Sequence, residues 1–192
     1  MRTTTYLEWG IFLDFVIKSK RDFPLVSICA VVQGFMGLRV SDVMQLKWSD
    51  FEKKMIVLKE KKTGKTRNIT VQPELKKYLD ILIKEKELYY CRSIYIDELL
   101  LTGRNGDVVS IQYLNRIVKD AFDSLGLKTE GGNNSTHIFR KTFGRRVIDK
   151  CDKPEAGLIL LSEVFKHSST AITRRYLGLR EAEVQSVYSL VV

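Results

Sequence analysis

The segment FKHSSTAITRRYLGL, residues 165–179, places a histidine, a serine pair, two arginines and a tyrosine in one short stretch. His167 follows an amphipathic run and opens a capped segment, and the pattern predicts a short helix near residues 170–176 that ends at Tyr176. Taken alone, a tyrosine in such a helix is usually a core residue whose hydroxyl makes one hydrogen bond. Because the chain contains eight tyrosines, a chemical role for Tyr176 depends on what the other segments supply.

A second histidine begins the segment HIFRKTFG, residues 137–144. His137 and Arg140 are three positions apart, so a helix that starts near His137 places both on one face and turns the two apolar residues between them inward. A buried histidine beside an ion-pairing arginine would give the same pattern. The chain has just two histidines, and both are predicted to lie at helix starts.

Two further segments carry basic side chains at predicted turns. Arg39, in GLRVSD at residues 37–42, lies between two predicted helices, from which an arginine can reach an anion. The β-prone runs at residues 55–58 and 67–71 flank the turn KTGK at residues 62–65, which predicts a hairpin with lysines at its tip. Each pattern alone also fits an ordinary surface arginine or a solvated turn.

The chain as a whole is predicted to be mainly α, an α+β fold with a small three-stranded antiparallel sheet. A strand near residues 47–51 would complete the sheet beside the hairpin, and Ser41 would cap a short helix. Pro154 and Gly157 are expected to break the chain before a helix near residues 158–165. Further helices are predicted near residues 5–19, 24–37, 73–88, 110–125 and 180–190.

The composition is that of an ordinary globular protein with a basic balance: 44% hydrophobic residues, 32 Lys and Arg against 23 Asp and Glu, and a net charge of +9. Such a charge favours a polyanionic partner, although a basic domain without one is equally compatible. Three cysteines without CxxC spacing indicate reduced thiols in an intracellular protein. The most apolar run, residues 25–38, is too short and interrupted for a bilayer, so no membrane contact is expected.

The order of these features is more specific than any one of them, because arginine, lysine, His-x-x-Arg, histidine and tyrosine follow one another between residues 39 and 176. In this order the chain resembles the catalytic domain of the tyrosine recombinase, or phage integrase, family. GLRVSDV resembles its first arginine box (TGLRxSEL), KTGKTR its strand-turn lysine, THIFRKTFG its THxLRHTFA box, and FKHSSTAITRRYLGL its LGHSSxxTTxxYxH box. The resemblance covers residues 35–179.

The resemblance implies that residues 1–192 form one catalytic domain, with the family's N-terminal DNA-clamping domain absent or removed. It also implies cleavage and rejoining of DNA strands without a metal, ATP or another cofactor. The sequence agrees with that expectation, because it has no cluster with the spacing of metal ligands and no glycine-rich nucleotide loop after a strand.

The family's catalytic set maps onto six residues of this chain: Arg39, Lys62, His137, Arg140, His167 and Tyr176. The resemblance implies that Arg39 and Arg140 hold the non-bridging oxygens of the scissile phosphate and that His167 hydrogen-bonds the phosphate. Paired guanidiniums suit this task because they match, in a planar and bidentate way, the negative charge that builds on those oxygens.

Tyr176 would then attack phosphorus, with His137 as its acid–base partner and Lys62 protonating the departing 5′-oxygen. A tyrosine with an ordinary pKa of about 10 needs such help at neutral pH. Asp42 matches the acidic position after the first arginine and is expected to support the site. Lys62 is preferred because it heads the KTG turn. The alternatives near the tip are Lys59, Lys61 and Lys65.

Double-stranded DNA is the implied partner. Basic residues near the site are candidates for further phosphate contacts: Lys65, Lys141, Arg145, Arg174 and Arg175. The implied assembly is a tetramer on DNA through exchange of C-terminal tails, with a monomer in free solution left open. The implied function is site-specific integration or excision of a mobile element or prophage in the bacterial cytoplasm. A type IB topoisomerase and a non-catalytic DNA-binding module with the same fold are the alternatives.

Three positions depart from the family's boxes. Met36 stands in place of threonine, Asp42 in place of the commoner glutamate, and Lys166 in place of the glycine before the second histidine. None of these changes removes a chemical group of the catalytic set. Lys166 is expected to alter the turn or to add a phosphate contact.

Overall fold

The computed structural model describes residues 6–62, 64–129 and 134–179. It confirms a mainly α fold with a small antiparallel sheet. The helices are α1 (Trp9–Ser19), α2 (Pro24–Met36), α3 (Val40–Val43), α4 (Pro73–Tyr90), α5 (Ile111–Ser124), α6 (His137–Lys150), α7 (Pro154–Phe165) and α8 (Thr170–Tyr176). A 3₁₀ helix (Trp48–Glu52) and the strands β1 (Met55–Lys59) and β2 (Thr66–Thr70) complete the described elements.

Helix α2 is the centre of the core, and each of its residues is buried. It packs against α1, α4, α5 and α6. A helix that is apolar on all sides is stable in water only when other elements surround it, which is what the apolar run at residues 25–38 predicts. Pro24 occupies the first turn, where a missing N–H costs no helical hydrogen bond.

A second, smaller apolar cluster joins the C-terminal helices α6, α7 and α8. Its buried members are Leu158, Leu161, Phe165 and Leu177. This cluster meets the C-terminal end of α2, where Phe143 of α6 lies against Gly37.

The β hairpin is confirmed, but the third strand is wrong. Strands β1 and β2 pair in register from Met55 opposite Thr70 to Lys59 opposite Thr66. Residues 48–52 instead form the 3₁₀ helix, in which residues three apart share a face, so that Trp48 and Phe51 are both buried. The Lys47 N–H donates to an Asp50 carboxylate oxygen at 2.9 Å, which closes that turn.

Other element boundaries differ from the sequence-based expectation at specific residues. Helix α1 begins at Trp9, not near residue 5. Helix α3 begins directly after the extended backbone of Arg39, so Ser41 lies inside it and does not cap it. Pro154 starts α7 instead of breaking the chain, because proline is well tolerated in the first helical turn.

The expected helix near residues 180–190 lies outside the described residues. Within residues 6–62, 64–129 and 134–179, no helix combines the length and the apolar character needed to cross a membrane.

Gly37 ends α2 and directs the chain toward Arg39. Its φ of 61° is left-handed, and its N–H donates to the Gln33 carbonyl at 2.9 Å. A Cβ atom at this position would lie 2.5 Å from the ring of Phe143. The Gly37 carbonyl also accepts a hydrogen bond from Arg140 at 2.7 Å. The glycine therefore fixes the relation between the two arginine-bearing segments.

We expect Gly37→Ala to lower the free energy of unfolding by about 2–4 kcal/mol, of which ~1–2 kcal/mol comes from the left-handed backbone and the rest from displacing Phe143. The matched control is Gly126→Ala, since Gly126 has a φ of 63° but open space around it. That control should lose only about 1–2 kcal/mol. Urea denaturation measures both, and equal losses would contradict the role of the Phe143 contact.

Candidate active site

The last turn of α7 is where three arginine side chains meet. Arg39 Nη2 donates to the Phe165 carbonyl at 2.7 Å, and Arg140 Nη2 donates to the same oxygen at 3.2 Å. Arg67 Nη1 donates to the Val164 carbonyl at 3.0 Å. The final carbonyls of a helix have no partner within the helix and carry partial negative charge, so guanidinium groups satisfy both needs.

A buried carboxylate lies between two of these arginines. The side chain of Glu60 is 1% exposed, and its two oxygens lie 3.5 Å from Arg39 Nη1 and 3.8 Å from Arg67 Nη1. The motifs did not identify Glu60 or Arg67 as part of the site. The sequence did contain one signal for Glu60, because it is the single acidic residue in the otherwise basic stretch KEKKTGKTR. An acidic residue is unusual in a hairpin tip that meets only solvent or DNA.

Arg140 is the most enclosed of the three arginines. Its guanidinium carbon lies 4.3 Å from the centre of the Phe165 ring, and only 4% of the residue is exposed. Burial lowers the pKa of Arg140 to about 10, and the nearby Arg39 and Arg67 act in the same direction. At neutral pH this group remains a cation, held beside the α7 end by the Phe165 carbonyl and ring.

Tyr176 lies against both histidines. Its hydroxyl oxygen is 3.4 Å from His137 Nδ1, and its ring centre is 5.4 Å from that of His167. The rings of Tyr176 and Phe165 pack edge to face at 5.5 Å, and the Lys141 ammonium lies 5.3 Å from the Tyr176 ring centre. The sequence-predicted tyrosine and both histidines thus belong to one site within a single chain.

The surroundings favour the neutral form of each of these three side chains. Burial raises the pKa of the Tyr176 hydroxyl, and the positive charge of Arg140 only partly opposes this. Loss of water around the inner edge of His137, followed by repulsion from Arg140 and Lys141, lowers the pKa of that imidazole. Burial and the nearby arginines lower the pKa of His167 to about 4.

The His167 ring is oriented by a threonine that the motifs did not single out. His167 Nδ1 lies 2.9 Å from the Thr173 hydroxyl, which is itself 2.9 Å from the Ser162 hydroxyl. Thr173 and Ser162 are both buried, so this chain of hydrogen bonds holds the imidazole on the rigid pair α7 and α8.

Asp42 ties the hairpin to the rest of the site. It is 1% exposed, and its Oδ1 accepts a hydrogen bond from the Lys61 backbone N–H at 3.0 Å. The next residue, Lys62, is exposed, and its charge is among the causes that lower the pKa of His167. The backbone anchor therefore keeps the Lys62 end of the hairpin beside the histidine.

Two concave surfaces open at this site. A cleft of about 190 Å³ is lined by Arg39, His137 and Arg140 together with residues of α3 and α5. A wider concavity of about 590 Å³ is lined by Lys65, Lys166 and His167, and by residues at the start of α8. Both surfaces carry positive groups, which suits an extended anion.

The other predicted DNA contacts differ in their surroundings. Arg145 Nη2 donates to the Tyr6 hydroxyl at 3.1 Å, and its guanidinium carbon lies 4.5 Å from the Tyr6 ring centre. Arg145 therefore holds the segment before α1 in the free protein. Arg174 lies 3.9 Å from a carboxylate oxygen of the exposed Glu155, and Arg175 is exposed.

The model of the phage integrase family matches residues 18–183. The chain belongs to this family. The chain is 29% identical to the probable integrase/recombinase YoeC of Bacillus subtilis over 177 residues, which cover 90% of the chain and 86% of YoeC.

Solved structures show the same fold in recombinases. The crystal structure of XerA recombinase superposes with a TM-score of 0.68 at 18% identity, over 99% of this chain and 66% of the XerA chain. The site-specific recombinase XerH, bound to its palindromic difH substrate in a post-cleavage complex, gives a TM-score of 0.66 at 22% identity, over 96% of this chain and 52% of XerH. This chain thus spans only part of the length of these recombinases.

We expect Glu60→Gln to lower the free energy of unfolding by about 2–3 kcal/mol, because it removes the carboxylate between two guanidiniums that have little access to water. Glu52→Gln is the matched control, since Glu52 forms an exposed ion pair with Lys76 and should contribute less than about 1 kcal/mol. Urea denaturation at neutral pH compares the variants. A Glu60 variant no less stable than the control would contradict a neutralising role.

Both histidines of the free protein should be neutral at pH 7. We expect NMR titration to give a midpoint at about 4 for His167 and a midpoint below the ordinary 6.5 for His137. Since the chain has two histidines, one His167→Gln spectrum assigns both signals. A midpoint of 6.5 or higher for either one would contradict the charge environment described for the site.

Proposed function

We propose that this integrase cleaves and rejoins duplex DNA through a 3′-phosphotyrosine at Tyr176. The observation that carries the proposal is the position of the Tyr176 hydroxyl, which lies 3.4 Å from His137 Nδ1 and in the same site as the half-buried Arg39 and the buried Arg140. A nucleophile, a base and an anion-binding pair are the groups that phosphoryl transfer without a metal requires.

Arg39 and Arg140 would bind the scissile phosphate. Each guanidinium has five N–H donors in a fixed plane, and those not used for the Gly37 and Phe165 carbonyls or for Glu60 can meet phosphate oxygens. Because His167 Nδ1 is engaged by Thr173, its Nε2 is the ring nitrogen that would meet the phosphate. These groups stand in place before the anion arrives, so little reorganisation accompanies the reaction.

The nucleophile requires a base because its hydroxyl is protonated at neutral pH. The pKa of Tyr176 is raised by burial, whereas the pKa of His137 is lowered, so the neutral imidazole is available to accept the phenolic proton. As the Tyr176 oxygen forms its bond to phosphorus, the bond from phosphorus to the 5′-oxygen breaks. General acid–base catalysis of this type contributes about 10²–10⁴ in rate.

Lys62 would give its proton to the departing 5′-oxygen. The exchange replaces one phosphodiester with another, so the energy of the broken bond is kept and the reverse attack by a 5′-hydroxyl rejoins a strand without ATP. In that return step His137 gives its proton back to the tyrosine oxygen, and the amine of Lys62 accepts one from the 5′-hydroxyl. The two groups therefore end in their starting states.

The net charge of +9 and the basic concavities support duplex DNA as the partner. XerH, which shares the fold, was captured on its difH substrate after cleavage. We further propose that the integrase serves integration or excision of a mobile element or prophage in the bacterial cytoplasm. It would assemble as a tetramer on DNA by exchanging C-terminal tails, which lie outside the described residues.

We expect the wild-type chain to form a covalent protein–DNA adduct that withstands SDS, and Tyr176→Phe to form none, because the attacking oxygen is gone. Since the target sequence is unknown, the substrate is a library of randomised duplexes with one nick, from which adducts are recovered and sequenced. The nick lets a short fragment leave after cleavage, which traps the intermediate.

Tyr113→Phe is the matched control, since Tyr113 is an exposed tyrosine on α5 and should leave the adduct unchanged. An adduct that persists in Tyr176→Phe would overturn the assignment of the nucleophile. Relaxation of supercoiled plasmid without any strand exchange would assign the same chemistry to a topoisomerase activity instead.

A further inference from the structure

Helix α7 ends on a lysine in a conformation that normally suits glycine. Lys166 has a φ of 55° and a ψ of 45°. Among the described residues other than glycine, Lys166 and Cys91 are the two with a positive φ. The backbone turn itself is needed, because it returns the His167 N–H to the Ser162 carbonyl at 2.9 Å. Glycine would make the same turn without the steric cost that a Cβ atom adds.

The Lys166 side chain lies at the edge of the reaction site. It is exposed and lines the concavity of about 590 Å³ together with Lys65 and His167. One acidic residue, Glu163, also lines this concavity, beside the two lysines. The residue just before Lys166, Phe165, supplies the carbonyl that binds both Arg39 and Arg140. An ammonium at this place adds to the positive charge that Lys65 brings to the concavity.

We propose that Lys166 binds a backbone phosphate of DNA next to the scissile phosphate, and that this contact is the function of the lysine at a glycine-type position. The inference rests on the proposed function of the site. A lysine suits the task because its ammonium is a mobile point charge that can meet a phosphate without a fixed bidentate geometry. Lys166 is thus a further DNA-binding residue, on the concavity that it lines together with His167.

A purely structural role for Lys166 makes a different prediction. A cation near the C-terminus of a helix interacts favourably with the helix dipole, so Lys166 could stabilise α7 without touching DNA. Removing only its charge would then lower the melting temperature and leave DNA binding as it was. Charge and backbone conformation must therefore be changed separately.

Four variants of the full chain separate these effects. Lys166→Gln removes the charge and keeps the strained backbone, whereas Lys166→Gly removes both. Lys153→Gln removes one positive charge at the other end of α7, about 18 Å away for twelve residues at 1.5 Å each. Cys91→Gly removes the steric cost of a Cβ atom at another left-handed position, the end of α4, where the φ of Cys91 is 51°. The measurements are the melting temperature and the salt dependence of binding to a duplex of mixed sequence.

We expect both Lys166 variants to bind duplex severalfold more weakly and to reduce the slope of log K against log salt by about 0.9, the value for one phosphate contact. Lys166→Gly should melt roughly 2–4 °C above Lys166→Gln, because the backbone cost is gone. Cys91→Gly should gain a similar increment over wild type without any change in DNA binding. Lys153→Gln should keep the wild-type slope.

An unchanged slope in Lys166→Gln, in a preparation whose wild-type chain forms the covalent adduct, overturns this inference and leaves the proposed function intact. The same holds if Lys166→Gln and Lys153→Gln lose equal slope, because a general charge effect would then account for both. A wild-type chain that neither binds duplex nor forms an adduct overturns the proposed function and the Lys166 contact together.

Discussion

The site depends on holding three guanidinium groups close together before any anion is present. Like charges at such distances repel, and burial removes the water that would screen them. The protein meets this constraint in two ways. The last carbonyls of α7 accept hydrogen bonds from all three arginines, and Glu60 places a full negative charge between Arg39 and Arg67. Without the α7 carbonyls and the Glu60 carboxylate, the three arginine side chains would turn toward solvent and no longer converge on one place.

This constraint explains why so many elements end at one place. Helix α2 ends at Gly37, whose carbonyl binds Arg140, and α7 ends at the Phe165 carbonyl. The hairpin reaches the same place because Asp42 binds its backbone at Lys61. Helix ends carry backbone N–H and C=O groups that have no partner within the helix. A site built from helix ends therefore obtains hydrogen-bond donors and acceptors without burying unpaired atoms. The helices themselves need only ordinary apolar packing.

The packing of the helices and the arrangement of the site differ in how well the sequence predicts them. Apolar patterning and helix start signals predicted α2, α4, α5 and α8. The order of the motifs pointed to Arg39, Arg140, both histidines and Tyr176, but not to Arg67. The strand expected near residues 47–51 was wrong because Trp48 and Phe51, three positions apart, share one buried face in a 3₁₀ turn but would lie on opposite faces of a strand. Glu60 was missed because Arg39, one of its two partners, lies outside the hairpin, and the sequence of a charged turn is the same whether its carboxylate is buried or solvated.

The charges of the free site also bear on how it would treat a phosphate. Three guanidiniums face two buried carboxylates, those of Glu60 and Asp42, which leaves one net positive charge among these five groups. A bound phosphodiester, with one negative charge, would bring this inner set to neutrality. In the proposed reaction the transition state would carry additional negative charge, which His137 would offset only once it has taken the phenolic proton. The ammonium of Lys62 lies outside these five groups, on the hairpin that Asp42 anchors. It would stabilise the negative charge that develops on the departing 5′-oxygen in the transition state, whereas the charge of the bound phosphodiester is already balanced. Stabilising the transition state more than the ground state is what speeds a reaction.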